Sequence, residues 1–544
     1  MKKCLFAITS VALLLLLGCG RDVGTETMDM PQIQPIDTVP TEMPTVAPPS
    51  DNMDTNAIQK SNERQSDSVA PAHKELSDTN AIPESNGQQS DTAASTDQEN
   101  VLYAAVVLDT STMHNAAITA DGDLYTWGQN SYGQLGYAST EFDQWGSPMS
   151  TIPKRVPLIS EVVAAYIGLG QTMVITKNGD LLILGRGMSG FTDREDEEID
   201  STYLTPIKVP ELQSVAAVSL ESWYGAAVTV GGDVYTWGAN LSGVLGYTSD
   251  EMILISDELV SYSGKATKVP GIGGVVAISL GMRHIMALTA SGEVYTWGSN
   301  DCGDLGHSAT TCDQQGYPYT DTPTRVPELT DVVAISAGSG ATAAITAEGE
   351  LFTWGYNEFG NLGYPSTDYN AFEIPISRTP TKVPGLTGVT MVAMQHEFSV
   401  AVTVGGEVYT WGNNYNGQLG LGDTLPRSTP TKVPGLEEVV AISVMSSRCA
   451  AITAGGDLYT WGNNFYGQLG YASSNVANDR WPASFSPKKV PSLENVVAVS
   501  FSNTHAAAVT ADGDIYTWGQ NSYGQLGDGT TVYRYTPKRI TPDM

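Results

Sequence analysis

Short runs of alternating apolar and polar residues recur along this chain in a fixed order. A β-branched run such as VVAISLG (275–281) leads to HIMALTASG (284–292) and then to EVYTWG (293–298). A loop of variable length follows, and then a fourth run, PTKVP at 380–384 and 430–434 or a variant of it. Each run is bounded by Gly, Asp, Asn or Pro, and that patterning predicts a strand. The third run opens the phrase W-G-x-N-x-x-G-x-L-G, which occurs seven times, from Trp127, Trp237, Trp297, Trp354, Trp411, Trp461 and Trp518. A degenerate eighth copy, LGRGMSG at 184–190, has Leu184 in place of the tryptophan. Four strands per unit, repeated every 50 to 60 residues, predict an all-β protein, a β-propeller. Eight units predict eight blades, with seven blades and an irregular extra unit as the alternative. The stretches 119–136 and 510–527 differ only at Leu124 and Ile515, and a closed ring would make their units neighbours.

The phrase reads as a structural joint. In DLYTWG alternate residues face opposite sides of the blade, so Trp127 can bury against the next sheet. Burying about 150–250 Å² at roughly 25 cal/mol/Å² favours folding by about 4–6 kcal/mol per tryptophan before entropy. Gly128 and Gly133 permit backbone angles closed to other residues, and Asn130 can hydrogen-bond its own turn. Leu135 then returns to the core. No Gly-Lys-Ser/Thr follows and no helix opens after the phrase, so it is not a phosphate loop.

The N-terminal hundred residues have another character. Lys2 and Lys3 precede an apolar run from Cys4 to Leu17 that closes with Leu-Leu-Gly-Cys, the pattern of a secretion signal spanning 1–18. That ending resembles the bacterial lipobox, and the resemblance makes Cys19 the lipid-attachment residue. Residues 19–100 are rich in Pro, Ser, Thr and Asp and poor in aromatics, which predicts a disordered tether. The folded part is expected over 101–541, outside the cytoplasm. A formal charge of −32 argues against nucleic acid as a partner. Cys302 and Cys312 fall in one loop region and are expected to pair in an oxidising compartment, with Cys449 a buried thiol.

With its seven anchor copies, the chain resembles the regulator of chromosome condensation repeat family over about residues 101–541. The resemblance implies a propeller, although members of the family have seven blades. It also implies several unrelated functions: nucleotide exchange on a small GTPase, light sensing, and inhibition of β-lactamases by a secreted bacterial relative. The photoreceptor's Gly-Trp-Arg-His-Thr motif is absent here. Export separates this chain from a nuclear GTPase and makes extracellular protein binding the class the resemblance favours.

The residues themselves offer little enzymology. His114, His284 and His505 each stand thirteen residues before a tryptophan, but the same slot holds Gln171, Tyr224, Ala341, Phe398 and Arg448 in other units. A metal site would not follow that mixture, so the histidines read as structural. TADGDLYTW breaks the Asp-box spacing of sialidases, and the acidic run 193–200 lacks the spaced calcium-loop pattern. No cofactor is expected. Lys and Arg crowd the Pro-x-x-Val-Pro run, which suits an exposed edge strand and leaves a basic docking ring as the alternative.

Binding is expected on the variable loops between the Leu-Gly ending and that last strand. Their aromatics are Phe142, Trp145, Tyr262, Tyr317, Tyr319, Tyr369, Phe372, Trp481 and Phe485, side-chain types enriched at protein hot spots. Trp145 and Trp481 could share one patch in a closed ring. The expected partner is an extracellular or envelope protein, with a glycan as the alternative and the membrane met only through the lipid.

Overall fold

The computed structural model describes residues 113–541, apart from short stretches at 169, 188–201, 256–257, 310, 314–315, 474 and 478–480. The expected signal peptide, Cys19, the tether and the acidic run 193–200 lie outside the described residues. Strands form eight separate antiparallel sheets, and among the described residues the one helical element is a 3₁₀ turn at Leu241–Gly243. The eight sequence units are therefore eight blades, and the degenerate unit is blade 2. Blade 4 shows the common plan: Val275–Leu280, His284–Thr289, Val294–Ser299 and Pro318–Arg325 lie side by side in chain order. First strands of successive blades pack on one another while fourth strands lie apart, so the first strands surround the axis.

Two irregularities recur, one on the first strand of the seven blades where that strand is described and one beside the tryptophan slot of all eight. On the first strand Val275 pairs with Thr289 but Ala277 with Leu288, so the second residue of the VVA run is bulged out of register. Val163, Val333 and Val440 are exposed for this reason although the preceding valines are buried. Between third and fourth strands the register slips beside the tryptophan: Thr126 pairs with Lys154 and Gly128 with Ser150. Pro153 sits in that slip, where its missing N–H leaves no gap in the ladder.

The Leu-Gly ending of one blade is cut to fit the tryptophan of the next. A Cβ at Gly363 would stand 3.2 Å from the Trp411 indole nitrogen, and one at Gly420 would stand 2.8 Å from that of Trp461. Each indole N–H donates to a carbonyl two residues before that glycine: Trp411 to Asn361 at 2.8 Å and Trp461 to Gln418 at 2.9 Å. Trp127 of blade 1 donates in the same way to Gln525 of blade 8, at 3.0 Å, beside Gly527. The ring closes through the same joint that links its interior blades, and the near-identical end units are neighbours. Leu184 of blade 2 fills the tryptophan slot against Leu124, Val156 and Ile159 of blade 1 without the hydrogen bond.

Within the turn Asn130 works as expected, its Oδ1 accepting from Leu135 N (2.9 Å) and its Nδ2 donating to the Tyr137 carbonyl (2.8 Å). Gly128 has φ of 103°, and a Cβ there would lie 2.4 Å from the Met113 carbonyl oxygen. Cys302 and Cys312, expected to pair, are separate free thiols. Cys302 is turned toward Asn370 and Arg378 of the next blade, whereas Cys312 lies exposed on the short outer strand Thr311–Cys312. Burial pushes the Cys302 thiol up to about 12. Cys449 is buried, as read from the sequence.

Candidate binding face

The first-to-second turns and the third-to-fourth loops emerge at one end of the blades; the opposite end carries tight Gly-Asp and Gly-Glu turns. The variable loops are partly ordered as extensions of the blades. Glu141–Phe142, Met252–Ile255, Thr311–Cys312, Asp368–Tyr369 and Asn475–Ala477 each pair outside the fourth strand of their blade. In those five blades the fourth strand is thus an open edge only along its Pro-x-x-Val-Pro half. The basic residue of that half pairs with the acid before the third strand in all eight blades. The pairs are Arg155–Asp123, Lys208–Asp180, Lys268–Asp233, Arg325–Glu293, Lys382–Glu350, Lys432–Glu407, Lys489–Asp457 and Arg539–Asp514, at 2.5 to 2.9 Å. Exposed pairs of this kind add little to stability, but they neutralise the positive charge a basic docking ring would need.

The aromatics nominated from the loops divide into two groups. Phe485 and Tyr319 fold onto the preceding blade: a Cβ at Gly417 would stand 2.4 Å from the Phe485 ring, and one at Gly243 would stand 3.1 Å from the Tyr319 ring. They help seal the joints between blades and are half-buried there. Phe142, Trp145, Tyr369, Phe372 and Trp481 are exposed, and Tyr317 stacks on Phe372 across blades 4 and 5 with centroids 6.0 Å apart. Trp145 is 66% and Trp481 41% exposed, whereas every repeat tryptophan is at 1% or below.

Trp145 and Trp481 do not touch; a belt of other side chains connects them. Trp481 meets Phe465 edge-on at 4.6 Å, Phe465 meets Tyr466 at 4.5 Å, and Tyr466 meets Tyr533 of blade 8 at 6.3 Å. The Tyr533 hydroxyl hydrogen-bonds Ser522 Oγ at 2.9 Å and accepts from Gln520 Nε2 at 3.1 Å. Tyr523, next in the chain, packs against Trp145 of blade 1 at 6.1 Å. Trp145 itself is held by Asp143, whose Oδ1 accepts from the backbone N–H of Trp145 and of Ser147. The belt spans blades 7, 8 and 1 and consists of six aromatic rings with hydroxyl and amide groups. Sequence reasoning missed Phe465, Tyr466, Tyr523 and Tyr533. The first three lie inside the repeat phrase and read as architecture; the signal was an aromatic at Tyr466 and Tyr523 where other units have Asn416 or Ser242, and one at Phe465 where they have Ser131 or Leu241.

The three histidines are joints between blades. His114 Nε2 lies 2.8 Å from Thr172 Oγ1, His284 Nε2 3.3 Å from Thr342 Oγ1, and His505 Nε2 3.0 Å from Asn115 Oδ1, always in the following blade. Burial holds all three in the neutral form, at about 3 for His114, about 4 for His284 and about 3 for His505. Arg448 fills the same slot in blade 7 and donates to the Ser502 and Asn503 carbonyls at 2.9 Å. Among the described residues no cluster of three or more His, Cys, Asp or Glu side chains could hold a metal ion.

Fold and face together define a propeller of eight blades that presents aromatic side chains on one end. The RCC1-like domain model matches residues 85–449, and RCC1 repeat models match 455–509 and 512–544, so the chain belongs to the RCC1-like family. It is 32% identical over 428 residues to the human E3 ubiquitin-protein ligase HERC2, covering 77% of this chain but 7% of that protein. It is 30% identical over 320 residues to the ultraviolet-B receptor UVR8 of Arabidopsis thaliana, covering 58% of this chain and 66% of the receptor. Among solved structures, yeast RCC1 (Prp20) bound to Kap60 superposes with a TM-score of 0.51 at 20% identity, over 85% of this chain and 91% of that one. That likeness shows the fold alone.

Proposed function

We propose that this protein is a lipid-anchored propeller on the outside of a bacterial membrane that binds a protein partner through the aromatic belt of blades 7, 8 and 1. The observation that carries this reading is the exposure of Trp145 and Trp481 at the two ends of one belt. Tryptophan and tyrosine supply large contact areas at low conformational cost and dominate protein interfaces. The scaffold acts without chemistry of its own: its buried histidines and Arg448 are occupied in joints between blades. The yeast propeller of this fold was solved bound to Kap60, an example of the architecture serving as a binding scaffold in that protein. Nucleotide exchange on a GTPase is set aside because the leader directs the chain out of the cytoplasm. A glycan ligand is the second reading, favoured by the hydroxyl and amide groups of Tyr533, Ser522 and Gln520 beside the rings.

The test is capture from the native culture with the 101–544 fragment, compared with Trp145→Ala/Trp481→Ala. The double substitution is expected to weaken partner binding at least about tenfold, about 1.4 kcal/mol, with the unfolding midpoint nearly unchanged. Binding should vary little with salt, because the belt's six rings are uncharged. Retention on cell-wall glycans alone would transfer the site to the second reading, and equal affinity of the variant would remove the belt. Anchoring is tested separately. Cys19→Ser should release the protein from the membrane fraction or leave it unprocessed, and full membrane retention of the variant would overturn the lipoprotein assignment.

A further inference from the structure

At the junction of blades 4 and 5 two positions depart from the repeat, and both line one groove. In four blades the residue after Leu-Gly is a tyrosine. Tyr137, Tyr247, Tyr364 and Tyr471 each donate their hydroxyl to the backbone carbonyl of a third-strand threonine, at 2.5 to 3.1 Å. Blade 4 has His307 there. Its Nδ1 lies 3.0 Å from the Ser308 carbonyl, which makes Nδ1 the N–H donor and leaves Nε2 a lone-pair acceptor. The side chain is buried, and Nε2 has no partner.

The second departure is on blade 5. Where the fourth strand crosses the turn glycine of the preceding blade, other junctions place Thr151, Asp321, Ser428, Phe485 or Tyr535. Here the residue is Arg378, whose Cα lies 3.0 Å from where a Cβ on Gly303 would be. Among the described residues no carboxylate stands at ion-pair distance from its guanidinium; Nη2 donates to the Tyr369 carbonyl at 3.3 Å. His307 and Arg378, with Thr311, Cys312 and Thr379, line a groove of about 420 Å³.

We propose that this groove binds a small carboxylate that carries an O–H or N–H donor beside the acid. The carboxylate accepts from the Arg378 guanidinium, whose planar fork matches it, and the neighbouring donor gives its hydrogen bond to His307 Nε2. The imidazole lone pair repels a second anionic oxygen, which disfavours sulfate, an anion with no O–H to donate. Sugar acids and acylated amino acids or peptide C-termini share this chemistry.

The test titrates the full chain with glucuronate, N-acetylglycine, sulfate and glucose, read by calorimetry. At least one carboxylate should bind saturably; glucuronate alone would assign a sugar acid, and N-acetylglycine alone an acylated amino acid. His307→Tyr restores the side chain used in four other blades. It should keep or raise the unfolding temperature while weakening carboxylate binding at least about tenfold, and Arg378→Gln should weaken it similarly. Saturation by neither carboxylate, tighter binding of sulfate or of glucose, or unchanged affinity in His307→Tyr would overturn the proposal.

Discussion

Lowering the pH from about 7.5 to about 5 is expected to destabilise the folded ring, three buried histidines contributing on the order of 6 kcal/mol to that change. The cause is the three neutral histidines at the blade joints. Burial depresses His114, His284 and His505 to about 3, about 4 and about 3, and the nearby His505 adds to the shift of His114. In the unfolded chain each titrates near 6.5. Between these limits the unfolded state binds more protons, so stability is complete above about pH 6.5 and falls as the pH drops, by about 1.4 kcal/mol per histidine per pH unit. Asp301 and Asp304 act in the opposite sense. Burial raises both carboxyls, so their protonated forms suit the fold, and acid relieves those two sites. They offset part of the histidine contribution. Urea unfolding at the two pH values measures the difference. His284→Phe, the residue its slot holds at Phe398, should remove about a third of the pH dependence; identical curves at both pH values would refute the assignment.

Trp411→Ala is expected to lose about 3–5 kcal/mol, the range for deleting a large buried aromatic. The indole is fully buried, packs on Leu362, Val383 and Leu386 of blade 5, and donates to the Asn361 carbonyl. Truncation leaves both a cavity and an unsatisfied buried carbonyl. Trp411→Leu should lose less, because Leu184 shows that a blade can close with leucine and no hydrogen bond. Trp411→Phe isolates the indole N–H. The midpoint of urea unfolding orders the three variants, and a loss below about 1 kcal/mol for alanine would contradict the joint described here.

What the chain determined by itself was the unit. The runs VVAISLG, HIMALTASG, EVYTWG and PTKVP carry strand periodicity and turn chemistry locally, so strand type, strand order and the joint role of the phrase were legible in the letters. The invariance of tryptophan over phenylalanine also held a signal, since only the indole has an N–H for the preceding blade's carbonyl. Blade number was written as eight units. The choice of eight over seven rested on the ring closing from Gly527 onto Trp127, a contact between residues 400 positions apart in the chain. The belt was half legible. Trp145 and Trp481 stood out because they interrupt polar loops, whereas Tyr466 and Tyr523 hid inside a phrase whose other letters are architectural. Phe485 looked equivalent to Trp481, yet the direction of its strand lays it on Gly417 of the neighbouring blade. Pairing of Cys302 with Cys312 followed from proximity along the chain, and the turn that aims Cys302 at blade 5 decided otherwise. Local pattern sets which backbone groups pair within a blade; which side chains remain in water is set by the neighbouring blade, and only the closed ring supplies that neighbour.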